Sequence, residues 1–346
     1  MVERCEEQRL SGNAQSQHTT FQMSDVTHRR QVETLDGTPD KRMFWSIISD
    51  YNLKLALCEL IDNGIDMWRS SGQKHQLRVA VGLESDRQLI TVHDNAGGVR
   101  RDELRYLVAP GGSRNDPSSD LIGIFGVGSK RAGVALGERV VMTTRFRREA
   151  THQVEISKEW IESSSWAVDA YAVSDIEPGT TTVDISHLRK PFTSHDIDEL
   201  RTHLGEAYAW FIDQGCEIYI NTDKVPSRSF GAWAYPPDFL PKRAAFQVHL
   251  GSAGSVNVEL TGGLIRDRLA DRDNYGVYFY CNHRLITKEL KSREVGYMTG
   301  QAGIPHSDAS LCRVIIELTG PAQLMPWISS KSGINFSHQV FEQIRE

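Results

Sequence analysis

The chain of 346 residues is longer than one typical domain, which favours an organisation in two domains. Hydrophobic residues make up 39% and charged residues 24%, a composition typical of globular proteins. No apolar run approaches the ~20 residues that cross a bilayer, so we expect no membrane span. The net charge of −6 argues against a surface that is basic all over, although a local basic groove is compatible with it.

The first residues lack the apolar segment of a secretory signal, and the five cysteines lack CxxC spacing. We therefore expect reduced thiols and a location in the cytoplasm, or in the nucleus if the organism is a eukaryote. Residues 1–40 are rich in Gln, Ser, Thr and charged side chains, which predicts a flexible N-terminal tail.

Residues 41–192 are predicted to form the first domain. Apolar residues at helical spacing predict a helix over Leu53–Trp68. Alternating residues at 77–81 and the apolar run at 89–92 predict a hairpin, and further strands are expected at Arg139–Arg145 and Thr182–Ile185.

Residues 193–346 are predicted to form the second domain. Its first element is an amphipathic helix over Asp196–Ile212, which opens at Ser194. The strands expected after it are Glu217–Asn221, Asn257–Leu260, Val277–Tyr280 and Arg313–Leu318.

The first segment that could carry chemistry lies in the Leu53–Trp68 helix. Glu59 and Asn63 are separated by i, i+4 and therefore project from one face. The amide oxygen of Asn63 suits Mg²⁺, and a carboxylate beside it could orient a water. The alternative is a solvated polar stripe on an amphipathic helix. The apolar neighbours of Glu59 indicate that its carboxylate is buried, and a buried carboxylate requires a structural or functional explanation.

The second segment, His93–Gly98, directly follows the strand at 89–92. Asp94 at the strand end could accept a hydrogen bond from the exocyclic amine of a purine, and the glycines after it let backbone approach a ligand. The alternative is an ordinary Asx turn that closes a hairpin.

The third segment, Gly123–Gly133, places glycines before Lys130 at a predicted helix start. Free N–H groups and the positive end of a helix dipole would form a phosphate cradle there. The segment does not match the Walker loop, because Ser129 precedes Lys130 where that motif requires Gly. It does not match the dinucleotide fingerprint either, because Arg131 stands where that motif requires its last Gly. A flexible loop is the alternative. Upstream, 109–114 has the composition of a mobile lid.

In this order, the three segments resemble the boxes of the GHKL superfamily, which includes the gyrase B subunit, heat-shock chaperones, histidine kinases and MutL. Its N-box reads E-x-x-x-N in a helix, and its glycine boxes read D-x-G-x-G and G-x-G; Gly179–Val183 is a candidate for its GT motif. ELIDN-x-x-D and IG-x-F-G-x-G-x-K most resemble the MORC- and MutL-like branch. Ala96, Ser129 and an additional Thr depart from the family pattern.

The second half resembles the transducer domain of the same branch. Tyr275–Ile286 is similar to a strand–turn–strand ending in N-x-R-hydrophobic, and Trp327–Phe336 is similar to a loop whose lysine reaches the γ-phosphate. Lys331 would be that lysine; a solvated turn lysine is the alternative.

The resemblance implies an α+β fold: a Bergerat-type α/β sandwich ATPase domain followed by a smaller α+β transducer-like domain. It implies hydrolysis of ATP with Mg²⁺, Glu59 acting as general base and Asn63 as metal ligand. Asp94 and Thr181 would meet the adenine, although the choice among Thr180–Thr182 is open from sequence. The further nucleotide contacts implied are Gly98, Gly123, Gly126, Val127, Gly128 and Lys130, with Lys331 counted as catalytic.

The resemblance also implies that ATP closes the lid and drives homodimerisation; DNA or a protein in a larger complex, such as a defence complex, is a candidate partner. A histidine-kinase-like phosphotransfer enzyme is one alternative, but its acceptor candidates His18 and His28 lie in a polar tail without heptads. A non-hydrolysing ATP-binding module is the other. The Glu59–Asn63 pair favours hydrolysis over both.

Overall fold

A computed structural model of the chain describes residues 33–35, 40–41, 51–72, 75–112, 115–123, 126, 128–234, 237–265, 274–297 and 311–345. Most of the predicted tail, with His18 and His28, lies outside these residues, as does Val127. The contacts between Cα atoms divide the chain into Met1–Pro39 and Asp40–Glu346. All the elements described below belong to the second unit.

The first helix of the described residues, α1 (Leu53–Ser70), confirms the helix predicted from apolar spacing. Asn52 caps it, because its side-chain oxygen accepts a hydrogen bond from the backbone N–H of Leu55 at 2.9 Å. One face buries Leu57, Ile61 and Ile65 completely in the core. This face fixes the orientation of α1, and therefore also decides where its polar residues point.

An eight-stranded sheet carries α1, and its order is β5-β4-β3-β6-β2-β1-β7-β8. All its neighbours are antiparallel except β1 and β7, which pair in parallel. The predicted hairpin is confirmed as β1 and β2, whereas β4, β5 and β8 were not predicted. The strands are β1 (Arg78–Glu84), β2 (Leu89–Asp94), β3 (Gly137–Arg145), β4 (His152–Ile156), β5 (Ala170–Ala172), β6 (Thr180–Leu188), β7 (Glu217–Ile220) and β8 (Asp223–Lys224).

Further helices are α2 (Arg105–Val108), α3 (Gly128–Leu136), α4 (Lys158–Glu162), α5 (Ser194–Ala207), α6 (Ala209–Asp213) and α7 (Gln339–Arg345). Among them, α3 and α5 pack beside α1. The prediction of a single helix over Asp196–Ile212 is wrong in one respect. The observed helix is interrupted at Tyr208, where φ is −115° and ψ is 19°. The buried Tyr208 side chain is anchored instead on α1, through its hydroxyl.

A five-stranded sheet follows, in the order β12-β11-β13-β10-β9. Its strands are β9 (Lys242–His249), β10 (Ser255–Leu264), β11 (Gly276–Cys281), β12 (Arg284–Leu290) and β13 (Cys312–Thr319). Neighbours are antiparallel except for β11 and β13. The strand predicted at Glu217–Asn221 exists as β7 but belongs to the first sheet, so the second sheet starts at β9. The domain boundary after residue 192 stays a prediction.

These two sheets with their helices confirm the expected α+β fold, a Bergerat-type α/β sandwich with a second sheet after it. One continuous apolar core includes residues of both sheets. Within the described part of the chain, no helix combines the length and the apolar content that a membrane span requires.

Candidate nucleotide-binding site

A cavity between α1, the sheet and the glycine-rich segments brings together most of the predicted site residues. The predicted residues that line it are Glu59, Asn63, Asp94, Gly123, Gly126, Gly128, Lys130, Thr181 and Lys331. Gly98 is buried behind its wall, and Val127 is outside the described residues. Residues up to 272 positions apart in sequence therefore meet in one place.

Asp94 ends β2 at the floor of the cavity and lies opposite Thr181 in the pairing of β2 with β6. The backbone N–H of Ala96 donates to Asp94 Oδ1 at 2.9 Å. Enclosure by the protein raises the pKa of Asp94 to about 6, although the Ala96 N–H opposes the shift. At neutral pH Asp94 is therefore an ionised acceptor with one oxygen already used.

The structure distinguishes the neighbouring threonines. The hydroxyl of Thr180 donates to the Glu177 carbonyl at 2.7 Å, so it closes the turn before β6. Thr181 lines the cavity instead, and its hydroxyl lies 2.9 Å from that of Thr144. Thr181 is thus the threonine placed beside Asp94.

Gly98 has a backbone role. Its φ is +70°, and a Cβ there would lie 2.1 Å from the carbonyl oxygen of Arg145. Only glycine therefore permits the loop after β2 to pass so close to the end of β3. Gly98 shapes the cavity wall without lining it.

The glycine-rich segments close the opposite end of the cavity. A Cβ at Gly126, where φ is +61°, would lie 2.4 Å from the Gly112 carbonyl oxygen, so the two segments touch. The ammonium of Lys130 donates to both carbonyls, that of Gly112 at 2.7 Å and that of Gly126. Burial lowers the pKa of Lys130 to about 8. Lys130 thus ties the two segments together.

Gly128 begins α3 directly against Glu59. A Cβ at this position would lie 1.9 Å from Glu59 Oε2, so any larger residue would displace the carboxylate from the position that it occupies here. Gly123 lies against Asp66, whose Oδ2 would lie 3.2 Å from an added Cβ, and Asn63 Oδ1 would be at an ordinary contact distance of 3.8 Å. The glycines therefore bring the helix start and the preceding segment against the Glu59–Asn63 face.

Asp66, one turn after Asn63, is a site residue to which the sequence analysis gave no role. Its buried carboxylate accepts the backbone N–H groups of Ile122 at 2.9 Å and Gly123 at 2.6 Å. Burial raises the pKa of Asp66 to about 7, despite these two hydrogen bonds. The sequence did contain a signal for this residue, because Asp66 is the last residue of the ELIDN-x-x-D motif. Asp66 anchors the entrance of the glycine-rich stretch to α1.

Lys331 is a buried lysine and not a solvated turn residue. Its Nζ lies 2.7 Å from Glu59 Oε2 and 3.0 Å from Asp62 Oδ2. Burial alone would lower the pKa of Lys331, but the carboxylates of Asp62 and Glu59 raise it above its usual value. The loop after the second sheet therefore delivers a charged ammonium to the face of α1 that carries Glu59.

Glu59 is only partly satisfied by this contact. Its Oε1 is buried and has no hydrogen-bond partner among the described residues, whereas Oε2 is bound by Lys331. Burial raises the pKa of Glu59, and the Lys331 ammonium opposes that shift. A buried unpaired acceptor costs free energy unless something occupies it, so Oε1 marks a position for a donor such as water.

The donor set also fits a magnesium ion shared with phosphate. Asn63 is exposed to the cavity, and its amide makes no hydrogen bond to any described residue. Mg²⁺ is commonly held by one or two protein oxygens plus substrate phosphates and waters. Among the described residues, no group of three or more His, Cys, Asp or Glu side chains could hold a metal.

Residues 51–188 match the family described as histidine kinase-, DNA gyrase B- and HSP90-like ATPase. This part of the chain is similar to the ATPase domains of the GHKL superfamily. The match covers α1, β1 to β6 and the glycine-rich segments, and thus every cavity-lining residue of the site except Ser329 and Lys331. The GHKL resemblance predicted from the four boxes is confirmed.

Two curated relatives agree with this family. Protein MICRORCHIDIA 4 of Arabidopsis thaliana is 29% identical over 90 residues, which cover 26% of this chain and 11% of that protein. Chaperone protein HtpG of Salinispora arenicola is 30% identical over 164 residues, 43% of this chain and 23% of that protein. The matches span only a small part of each relative, and the first fits the predicted MORC-like branch.

Proposed function

We propose that this chain binds Mg-ATP in the cavity and hydrolyses it to ADP and phosphate. The observation that carries the proposal is Glu59, a buried carboxylate with one free oxygen, placed between Asn63 and the helix start at Gly128. A positioned base next to a metal ligand and free backbone N–H groups is the arrangement that phosphoryl transfer to water requires.

The base of the nucleotide would lie over β2 and β6. The exocyclic amine of adenine would donate to Asp94, and Thr181 would supply a hydroxyl beside it. A guanine presents an acceptor at the same position, so Asp94 would select adenine. The phosphates would then extend toward Gly123, Gly126, Gly128 and Lys130.

The start of α3 and Lys130 would hold the phosphates electrostatically. Asn63 would hold Mg²⁺, which neutralises charge on the phosphate oxygens when bound. Glu59 would accept the proton of the attacking water at Oε1, and burial supports this role by raising its pKa. Lys331 would contact the γ-phosphate, which ADP lacks.

Lid closure is supported by the contacts of Lys130. Its ammonium bonds to carbonyls in both glycine-rich segments, so a phosphate that draws the ammonium away changes how these segments are held. We propose that this change closes the lid and favours a homodimer, in the cytoplasm or the nucleus. The relatives are a MICRORCHIDIA protein and a chaperone; work on DNA or on a partner protein is proposed by analogy with this branch.

The test compares wild type with Glu59→Gln and a matched control, Glu84→Gln, at an exposed position that does not line the cavity. Isothermal titration with Mg-ATP and Mg-ADP measures binding, and phosphate release measures turnover. Glu59→Gln should keep its ATP affinity and lose hydrolysis by ~10²-fold or more, because a positioned base is removed. Glu84→Gln should match wild type. Wild type that binds no ATP, or Glu59→Gln that hydrolyses at the wild-type rate, would overturn the proposal.

A further inference from the structure

A buried ion pair joins the two sheets close to the site. Arg284, at the start of β12, donates from Nε to Asp62 Oδ1 on α1 at 2.8 Å, and both side chains are almost completely buried. The hydroxyl of Tyr208 donates to the same Asp62 oxygen at 2.7 Å. Asp62 Oδ1 therefore accepts two hydrogen bonds, neither of which comes from Lys331.

The same pair holds Lys331 at both of its ends. Asp62 Oδ2 lies 3.0 Å from the Lys331 ammonium, and Arg284 Nη1 donates to the Lys331 backbone carbonyl at 3.3 Å. Lys331 itself has a φ of +52°, in the left-handed region that non-glycine residues adopt uncommonly. Asp62 holds its ammonium and Arg284 holds its carbonyl in this conformation.

The two carboxylates that contact Lys331 are not equivalent. Asp62 accepts from Arg284, Tyr208 and Lys331, so both of its oxygens are occupied. Among the residues that the structure describes, Glu59 accepts only from Lys331, and its Oε1 has no partner. The ammonium has a third N–H donor that neither carboxylate uses, so a phosphate oxygen can bind there first and then compete for the other two. A phosphate that competes for Lys331 would therefore displace the Glu59 contact more readily than the Asp62 contact.

We propose that Asp62 and Arg284 are positioning residues that keep Lys331 in place while it exchanges Glu59 for the γ-phosphate. This inference rests on the proposed ATPase function and adds residues to which no role had been given. Without nucleotide, Lys331 neutralises Glu59. When the phosphate binds the Lys331 ammonium in place of Glu59, the Glu59 carboxylate becomes free to accept a proton from water. The contact with Asp62 keeps Lys331 in the site during this exchange.

The test removes the pair without leaving a buried net charge. Asp62→Asn/Arg284→Gln replaces one anion and one cation together, so the Glu59–Lys331 pair stays balanced. Arg284→Lys is the conservative partner, because it keeps the charge but loses the planar fork that reaches both Asp62 and the carbonyl. The control is Glu206→Gln/Lys288→Met, which removes an ion pair of 2.7 Å between α5 and the same strand β12 without touching Lys331.

The double variant should lose turnover by about 10- to 100-fold, the scale of a misplaced catalytic group. Its affinity for ADP should stay near wild type, whereas its preference for ATP over ADP should fall. Arg284→Lys should recover part of both losses, and the control pair should change neither. A purely structural ion pair would instead lower stability in the double variant and the control alike, with turnover per folded molecule unchanged.

Wild-type turnover and ATP preference in the folded double variant would overturn the inference alone. A wild-type protein that neither binds nor hydrolyses ATP would overturn the proposed function and the inference with it. If circular dichroism shows that the double variant is unfolded, Arg284→Lys decides: reduced ATP preference with retained ADP affinity supports the inference, and unchanged preference contradicts it.

Discussion

The ion pair between Glu59 and Lys331 can be tested by its effect on stability without nucleotide. The cluster balances the carboxylates of Glu59 and Asp62 against Lys331 and Arg284. Lys331→Met would leave two buried carboxylates with one guanidinium and should cost ~3–5 kcal/mol of unfolding free energy. Glu59→Gln removes one charged hydrogen bond and should cost ~1.5–3 kcal/mol. The double variant is again neutral, so it should cost less than the sum by ~2 kcal/mol or more.

Urea unfolding followed by circular dichroism at pH 8 measures the four free energies of this cycle. The matched control combines Glu59→Gln with Lys288→Met, a lysine on β12 that contacts Glu206 and not Glu59. That control should be additive within ~0.5 kcal/mol, as for distant sites. If Glu59→Gln and Lys331→Met are additive to the same precision, the 2.7 Å contact does not describe the nucleotide-free protein.

Two further predictions concern the opposite ends of the cavity. Asp94→Asn should weaken the binding of ATP by ~1.5–3 kcal/mol, because a charged hydrogen bond is lost. Since the pKa of Asp94 is about 6, the affinity of the wild type for ATP should fall as the pH drops through 6, whereas the affinity of the variant should not. Equal titration curves for the two proteins would contradict this. Gly128→Ala places a methyl group 1.9 Å from Glu59 Oε2, so phosphate release should fall by ~10²-fold, whereas Gly231→Ala, in open space, should leave it unchanged. Wild-type turnover in Gly128→Ala would show that Glu59 can act from another position.

Local periodicity predicted the parts of the site that lie close together in sequence. The Glu59–Asn63 spacing placed both residues on one face of α1, and Asp94 followed a strand whose end the structure confirms. Periodicity did not predict that α1 also buries Asp62 and Asp66. The partners that satisfy these two carboxylates come from elements that are distant in sequence.

Long-range pairing limited the rest of the prediction. Arg284 is 222 positions from Asp62, and its motif indicated a strand end but not a partner. Lys331 was singled out only through resemblance, since a lysine in a Ser/Gly loop is usually solvated. The assignment of β7 to the first sheet depends on a parallel pairing with β1, which no local pattern encodes.

The cluster around Lys331 is better explained by function than by stability. Burying four charges is expensive, and well-packed apolar side chains at such positions often stabilise a protein as much or more. Here the cluster lies between α1, which carries the proposed base, and the second sheet, which carries Arg284 and leads to the Lys331 loop. Under the proposed function, a phosphate that rearranges this neutral cluster would make the contact between the two sheets depend on the nucleotide. A ligand shifts such an equilibrium only by its differential affinity for the two arrangements, and under the proposed function a lysine that touches only the γ-phosphate would supply that difference between ATP and ADP.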